Sequence, residues 1–345
     1  MRTVKALLGL AILASAAVAT AGPDGGTPPK LAYGAYPSDD RLTLAGKLVR
    51  PEIEARRAEA MAREMARVRT TQPYQPHPAI WKISDTDTTI YLFGTVHSLP
   101  PGFRWRNPVL EGVIVRADML LLESTDKDDD VTFLEGLPQE QAGSMPPLLD
   151  RVSHRYRAKL ASIQSVLPEE TVKNMDAMPS WIAAMGIGFV RDLIVGDMPS
   201  AGADDWLEAH FRSIGRPVEA IEDSKQVVTN INAIPEAAQR LMLEAAIAAP
   251  DRTHDQLDAP AQAWAQGNVG ADSPLMIQPE DLDPSSAMAD PLLARRNAEW
   301  VETLLHKELA RPGTILFAAG AGHFVGPGSV IDLLQKRGVR VERVQ

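Results

Sequence analysis

Two short apolar runs, one in the first third of the chain and one near its end, each predict a buried strand that ends in the same motif. Residues 91–93 lead into Gly94-Thr-Val-His97, and residues 314–319 lead into Gly320-Ala-Gly-His323. Such runs between turn formers are typical of strands buried on both faces of a parallel sheet. Because ligands gather at the carboxyl ends of parallel strands, the repeat predicts two histidines at one edge of the sheet.

The glycine three residues before each histidine predicts a close approach of the backbone, since no side chain obstructs a bend or a neighbouring group there. Two imidazoles at one sheet edge could bind a single divalent metal, for which neutral imidazole is the commonest protein ligand. Alternatively, each histidine could end its strand and hydrogen-bond a loop carbonyl. The repetition of the whole unit favours the metal site, with Gly94, Gly320 and Gly322 in supporting roles.

A third apolar run, at residues 119–122, ends in Glu123. This run follows His97 after about one strand-helix-strand unit, so Glu123 is expected at the same edge of the sheet. A glutamate in a solvated loop is the alternative. The shared location favours Glu123 as a third ligand or as a base.

The rest of the pattern alternates strands with helices and predicts an α/β fold with a mixed, largely parallel central sheet, flanking helices and a helical insertion. A hairpin is expected at residues 81–93, and further strands at 216–222 and 339–344. Helices are expected at residues 107–117, 148–166, 168–175, 180–195, 205–214, 224–248 with a break at Pro235, 292–310 and 329–336. Residues of about 148–215 are expected to form a helical layer over the sheet.

The first 78 residues are expected to precede the folded domain at 79–345. Residues 1–21 have a basic start, an apolar stretch and a small-residue end, which predict a Sec-type signal peptide cleaved after Ala21. Residues 22–78 are expected to form a flexible lead-in with a peripheral helix. Since no later stretch has the ~20 apolar residues of a membrane span, we expect a periplasmic or secreted protein without a stable membrane anchor.

The composition and the absence of some common motifs exclude several kinds of site and function. The chain has no cysteine, which excludes disulfides, thiolate metal sites and cysteine nucleophiles. A formal net charge of −10 predicts a surface that repels nucleic acid and anionic lipid. The sequence has neither Gly-x-Ser-x-Gly nor His-Glu-x-x-His, so a standard serine hydrolase or zincin is excluded. The glycines at residues 320–326 match the spacing of a dinucleotide-binding motif. Too few residues follow them, however, to form the further strand-helix-strand units that a nicotinamide-binding domain needs.

The motifs at residues 92–97, 121–124, 296–297 and 320–328 resemble those of the TraB/PrgY/GumN family, which is related to the Tiki metalloproteases. The likeness covers residues 81–345 and is most specific at both ends. It implies an α/β sheet similar to that of the erythromycin esterases and the ChaN-like haem-binding proteins. In the wider group the motifs are associated with a divalent metal, manganese or cobalt in the animal members, and with peptide hydrolysis.

The resemblance implies roles for the residues that occupy the positions of the family's motifs. Its metal-associated motifs match His97, Glu123 and the Gly320-Ala-Gly322-His323 segment, and its Arg-Asn pair matches Arg296 and Asn297. Its central Gly-x-Asp and Leu-Glu elements match less closely, at Asp204 and Glu222.

Residues and resemblance together predict an exported metal-dependent hydrolase that acts on a peptide or another small amide or ester, with manganese, cobalt or zinc as cofactor. Glu123 would be a ligand or the base for a metal-bound water, Arg296 would stabilise the developing oxyanion, and Asn297 would orient it. The competing prediction is a non-catalytic periplasmic binding protein for a peptide signal, a haem-like ligand or a protein partner.

Overall fold

The computed structural model describes residues 44–125, 145–275 and 293–345 and the two short segments 18–19 and 30–31, with side-chain surroundings from residue 58 onward. The predicted signal peptide lies outside the described residues apart from positions 18–19. The strands are β1 (Val18–Ala19), β2 (Lys30–Leu31), β3 (Ile80–Ser84), β4 (Thr88–Thr95), β5 (Ser98–Leu99), β6 (Met119–Leu122), β7 (Ser200–Ala201), β8 (Val218–Ala220), β9 (Gly313–Gly320) and β10 (Glu342–Arg343).

Six strands form the central sheet in the order β10-β3-β4-β9-β6-β8. β10, β3 and β4 pair antiparallel, whereas β4, β9, β6 and β8 run parallel. This confirms the predicted α/β class with a mixed, largely parallel sheet. The likeness to the esterase and ChaN-like folds in particular stays a prediction.

Helices connect and cover these strands. They are α1 (Leu44–Thr71), α2 (Pro108–Arg116), α3 (Leu148–Arg151), α4 (His154–Gln164), α5 (Glu169–Asp176), α6 (Ser180–Ile194), α7 (Ala203–Ser213), α8 (Ser224–Asn232), α9 (Glu236–Ala248), α10 (His254–Ala265), α11 (Arg295–Thr303) and α12 (Val330–Lys336), with a π turn at Leu304–Glu308 and a 3-10 turn at Ala321–Phe324. The predicted break at Pro235 is confirmed. The predicted single helix 148–166 is wrong, because Val152 and Ser153 are extended and separate α3 from α4.

The sheet carries a hydrophobic core on each face, since adjacent residues of a strand point to opposite sides. Leu92 and Phe317 belong to one core, in which the Trp300 ring of α11 packs edge-on against Phe317 at 5.7 Å. Phe93 belongs to the other core, where its ring centroid lies 6.0 Å from that of Trp264 in α10. The tryptophans therefore fix α10 and α11 over the same part of the sheet from opposite sides.

The helices of the predicted layer at about 148–215 do not all pack together. α4, α5, α6 and α9 share a hydrophobic cluster of their own, centred on residues such as Leu160, Ile187 and Leu243. α7, which the sequence placed in the same layer, instead buries Leu207 and Phe211 in a core of the sheet. The apolar face of α7 thus packs on the sheet, and residue 204 in its first turn lies beside the sheet rather than beside the helical cluster. No helix in the described part of the chain is long and apolar enough to cross a membrane.

Candidate functional site

Three parallel strands end side by side at the edge where the sequence predicts a site. In the register of the sheet, Thr95 of β4 pairs with Gly320 of β9, and Leu122 of β6 pairs with Ala318 of β9. Beyond the end of β8, Ile221 donates a backbone hydrogen bond to the carbonyl of Leu122 at 2.8 Å. The residues that follow these strands, among them the motif histidines and both strand-end glutamates, therefore emerge at one edge.

His97 follows β4 and is held by a second, small sheet. β5 and β7 pair antiparallel immediately after the histidine, which brings the start of α7 against the turn. The Nδ1 atom of His97 lies 3.3 Å from the Oδ1 atom of Asp204 in the first turn of α7. The carboxylate is 2 % exposed and the imidazole 28 % exposed, so solvent can reach the site from the side of His97.

Gly202 makes this contact sterically possible. A Cβ atom on this residue would lie 2.4 Å from the carbonyl oxygen of His97, closer than any side chain tolerates. Ala203 then donates its N–H to the carbonyl of Val96 at 3.0 Å. Gly202 is a functional residue that strand-end reasoning missed, and its only signal in the sequence is the Gly-x-Asp element that also contains Asp204.

Glu123 lies at the centre of the cluster and is 4 % exposed. Its Oε1 atom accepts a short hydrogen bond from the backbone N–H of Gly320, and its Oε2 atom accepts one from Arg296 at 2.7 Å. A Cβ atom on Gly320 would lie 2.9 Å from Nε2 of His97 and 3.2 Å from Oε1 of Glu123. Gly320 therefore keeps the space between these two side chains open.

The remaining motif glycines are Gly94 and Gly322. A Cβ atom on Gly94 would lie 3.0 Å from the Cα atom of Ala321, so this position is also closely packed against the second motif. The carbonyl of Gly94 accepts a buried hydrogen bond from the Trp264 indole at 2.7 Å. Gly322 lies within the 3-10 turn that carries His323. The packing thus supports a positioning role for Gly94.

His323 is buried, and its ring is oriented by Asn297. Nδ1 of His323 lies 2.6 Å from Oδ1 of Asn297, while the Asn297 amide nitrogen donates to the carbonyl of Gly328 at 2.9 Å. Because the amide nitrogen is used by Gly328, the amide oxygen faces the ring and His323 carries its hydrogen on Nδ1. Its Nε2 lone pair then faces a terminal nitrogen of Arg296 at 3.3 Å, and Oε1 of Glu123 lies 4.0 Å from the same Nε2 atom. Asn297 thus orients His323, and not Arg296 as the sequence suggested.

Arg296 joins two carboxylates. Its Nε and one terminal nitrogen form a fork onto Glu222 at 2.9 and 2.6 Å, and the same terminal nitrogen donates to Glu123 at 2.7 Å. The Trp300 indole donates to Glu222 at 2.8 Å, and the Trp300 ring lies 4.8 Å from the centre of the guanidinium. Trp300, one helical turn after Arg296, was not singled out from the sequence because its spacing is equally typical of a core residue.

The buried groups of the cluster have shifted protonation equilibria. Burial acts to raise the pKa of the Glu123 carboxyl, but attraction to Arg296 outweighs it and holds the pKa below its ordinary value. Burial lowers the pKa of His323 to about 3, so its imidazole is neutral at neutral pH. Burial raises the pKa of Glu222, against the attraction of Arg296. The site therefore contains an ionised carboxylate beside a neutral imidazole, the forms in which both groups bind cations.

The donor atoms fit a divalent metal in type and orientation. Nδ1 of His97 and of His323 each face an oxygen acceptor, which is the arrangement that fixes metal-binding histidines and leaves Nε2 available. In addition, Glu123 and Glu222 both accept hydrogen bonds from Arg296, and Asp204 lies against His97, so a divalent ion would help to balance these carboxylates. Across the described ranges, no three histidine or carboxylate side chains already have the spacing of a metal site.

Comparison with known proteins identifies the family. A search of curated proteins and a search of solved structures each return no match. The model of the TraB/PrgY/gumN family matches residues 79–343, a range that begins just before β3 and ends with β10. All the residues that form the cluster lie within this range. The chain therefore belongs to the TraB/PrgY/gumN family.

Proposed function

We propose that the protein is an exported metal-dependent hydrolase that acts on a peptide or another small amide or ester. The observation that carries the proposal is the paired orientation of the two histidines. Asp204 and Asn297 hold Nδ1 of His97 and His323, at 3.3 and 2.6 Å, so that both Nε2 atoms are directed towards the region of Glu123, where Arg296 now lies 3.3 Å from that of His323. Either contact alone would also suit a structural histidine, but the presence of both beside one buried carboxylate favours a metal site.

His97 and His323, each through Nε2, and Glu123, through its carboxylate, would hold the metal. Two imidazoles and one carboxylate leave coordination positions open, as in catalytic sites. A manganese, cobalt or zinc ion bound there supplies a Lewis acid and lowers the pKa of a coordinated water. Of the two roles predicted for Glu123, the ligand is favoured, because a carboxylate whose pKa is held low is a weak proton acceptor.

The chain itself supplies orientation and charge. Asp204 and Asn297 keep the imidazoles in one tautomer, and Gly320 leaves room above Glu123 for the reacting group. Arg296 brings N–H donors to the same place, where they stabilise negative charge that develops on a substrate oxygen. Since His97 is the most exposed of the proposed ligands, the substrate enters beside it.

Export follows from the Sec-type pattern of residues 1–21 and places the reaction in the periplasm or outside the cell. A test of this part is N-terminal sequencing of protein recovered from a periplasmic extract. Mature chains should begin at Gly22. Full-length chains confined to the cytoplasm would contradict export without affecting the proposed chemistry.

Metal binding is tested by calorimetric titration of the mature protein with Mn²⁺, Co²⁺ and Zn²⁺. Wild type should bind one equivalent of at least one of these ions, and His97→Ala and His323→Ala should bind it far more weakly. His306→Ala is the matched control, because His306 is 76 % exposed and lies in the π turn. A wild type that binds none of the ions, or site variants that bind as tightly as the control, would refute the mechanism.

The same preparations distinguish the non-catalytic alternative. Turnover of a peptide library or of ester and amide model substrates should require the bound ion and both histidines. Retention of a small ligand through purification, with no turnover by metal-loaded wild type, would favour a binding protein that uses the same pocket.

A further inference from the structure

We propose that Arg296 is an internal competitor of the metal, which gives up Glu123 and His323 when the ion binds and remains attached to Glu222. This inference rests on the function proposed above and deepens it. Through Arg296, metal binding makes N–H donors available to a substrate.

The competition is visible in the hydrogen bonds. One terminal nitrogen of Arg296 donates to Oε2 of Glu123 at 2.7 Å, and the other lies 3.3 Å from Nε2 of His323. These are lone pairs on two of the three proposed ligands. A metal and the guanidinium cannot use the same lone pair at once, so the ion must displace these contacts.

The guanidinium has a second anchor that does not involve the ligands. Its Nε atom donates to Oε2 of Glu222 at 2.9 Å, and a terminal nitrogen donates to Oε1 at 2.6 Å. The Trp300 indole holds the same carboxylate at 2.8 Å. Because this fork uses different hydrogens from those directed at Glu123 and His323, Arg296 can release the ligands and stay within the site.

When the ion takes the place of Arg296 at Glu123, each of the two carboxylates still has a positively charged partner. With the ion bound, Glu123 would pair with the metal while Arg296 keeps its fork onto Glu222. The hydrogens that pointed at Glu123 and His323 are then released, and they can point at an oxygen of the substrate. Arg296 thus becomes available to the reaction only after the metal has bound, which explains why an arginine adjoins the proposed ligands of a cation.

The first experiment measures the Zn²⁺ dissociation constant, by competition with a chromophoric chelator, in wild type, Arg296→Met and Arg311→Met. Arg311 is the matched control because it also forms a fork onto a carboxylate, Glu219, at 2.9 and 3.0 Å. It lies before the amino end of β9, away from the site, and its replacement removes the same formal charge. Arg296→Met should bind Zn²⁺ at least about tenfold more tightly, since a charged hydrogen bond no longer competes. Arg311→Met should differ from wild type by less than about twofold.

Equal or weaker binding by a folded Arg296→Met would overturn the proposal. Should that variant fail to fold, crystal structures of wild type with and without Zn²⁺ decide the matter. The contact between Arg296 and Glu123 should open while the fork onto Glu222 persists. Zinc on both histidines with an unmoved Arg296 would overturn this inference alone, whereas a wild type that binds no metal would overturn the proposed function itself.

Discussion

The imidazole of His97 and the carboxylate of Asp204 are 107 residues apart in the sequence and lie 3.3 Å apart in the folded protein, measured from Nδ1 to Oδ1. The pairing of β5 with β7 closes this distance, because it places the first turn of α7 beside the end of β4. Asp204 is therefore the residue that sets the tautomer of His97, and it acts on the proposed metal through that ring.

Asp204→Asn should weaken metal binding by about 10- to 100-fold, the usual cost of losing the partner of a metal-binding histidine. Calorimetry gives the affinity, and the ¹⁵N chemical shifts of the His97 ring report the tautomer, which a merely structural role would not move. Asp205→Asn is the control, since Asp205 accepts a hydrogen bond from the backbone of Gly202 at 2.9 Å. That variant should melt at a lower temperature but keep the His97 spectrum. A normal His97 spectrum in Asp204→Asn would contradict the assignment.

Gly202→Ala should disrupt the same contact by steric means. The added Cβ atom would meet the carbonyl oxygen of His97 at 2.4 Å, so the start of α7 must move away from the histidine. Metal affinity and melting temperature should both fall. Gly188→Ala is the comparison, because nothing lies within 4 Å of its Cβ position in α6. Replacing a helical glycine there should stabilise the fold by about 0.5–1 kcal/mol. Equal losses in the two variants would argue against the close approach.

Asn297→Ala should release the ring of His323 and lower metal affinity by about 10- to 100-fold. Asn297→Asp keeps an oxygen acceptor for Nδ1 of His323 but loses the amide that donates to Gly328 at 2.9 Å. We therefore expect binding by Asn297→Asp to lie between those of wild type and Asn297→Ala. If both variants lose affinity equally, the contact with Gly328 and not the one with His323 is the important one.

Asp197 provides a test of electrostatics outside the site. Burial, with repulsion from Asp192, raises the pKa of Asp197 to about 6. A carboxyl whose folded pKa exceeds its unfolded value of about 3.8 contributes its full stability below pH 3.8 and loses it as the pH rises through 6. Asp197→Asn should therefore raise the free energy of unfolding at pH 7 to 8 by about 1–3 kcal/mol, at about 1.4 kcal/mol per pKa unit.

The check on Asp197 is denaturant unfolding of both proteins across pH 4 to 8. The gain in the variant should shrink as the pH falls below 6. A gain that stays constant over this range would show that the substitution acts through packing and not through charge.

Strand-end reasoning predicted much of the cluster, because residues that follow parallel strands must emerge at one edge of a sheet. His97, Glu123 and His323 lie there for this reason, and the hairpin and the break at Pro235 were also read from local patterns. The contact of Asp204 with His97 could not be read in the same way, since it depends on how closely two distant backbones approach at Gly202. The attachment of Arg296 to Glu222 likewise depends on how α11 packs on the sheet through Trp300. The hydrogen bonds of Asn297 to His323 and Gly328 could not be read from the sequence either, because both partners belong to a segment that follows β9.

The place of β9 in the sheet has a consequence for how the protein matures. β9 lies between β4 and β6 and leads into His323, yet it is the last of the long strands to leave the ribosome. Until then the hairpin of β3 with β4 and the pair of β6 with β8 have no common neighbour, because domains fold only when their parts are present. A chain clipped or stalled before residue 313 lacks both β9 and His323 and thus has no means of assembling the candidate site.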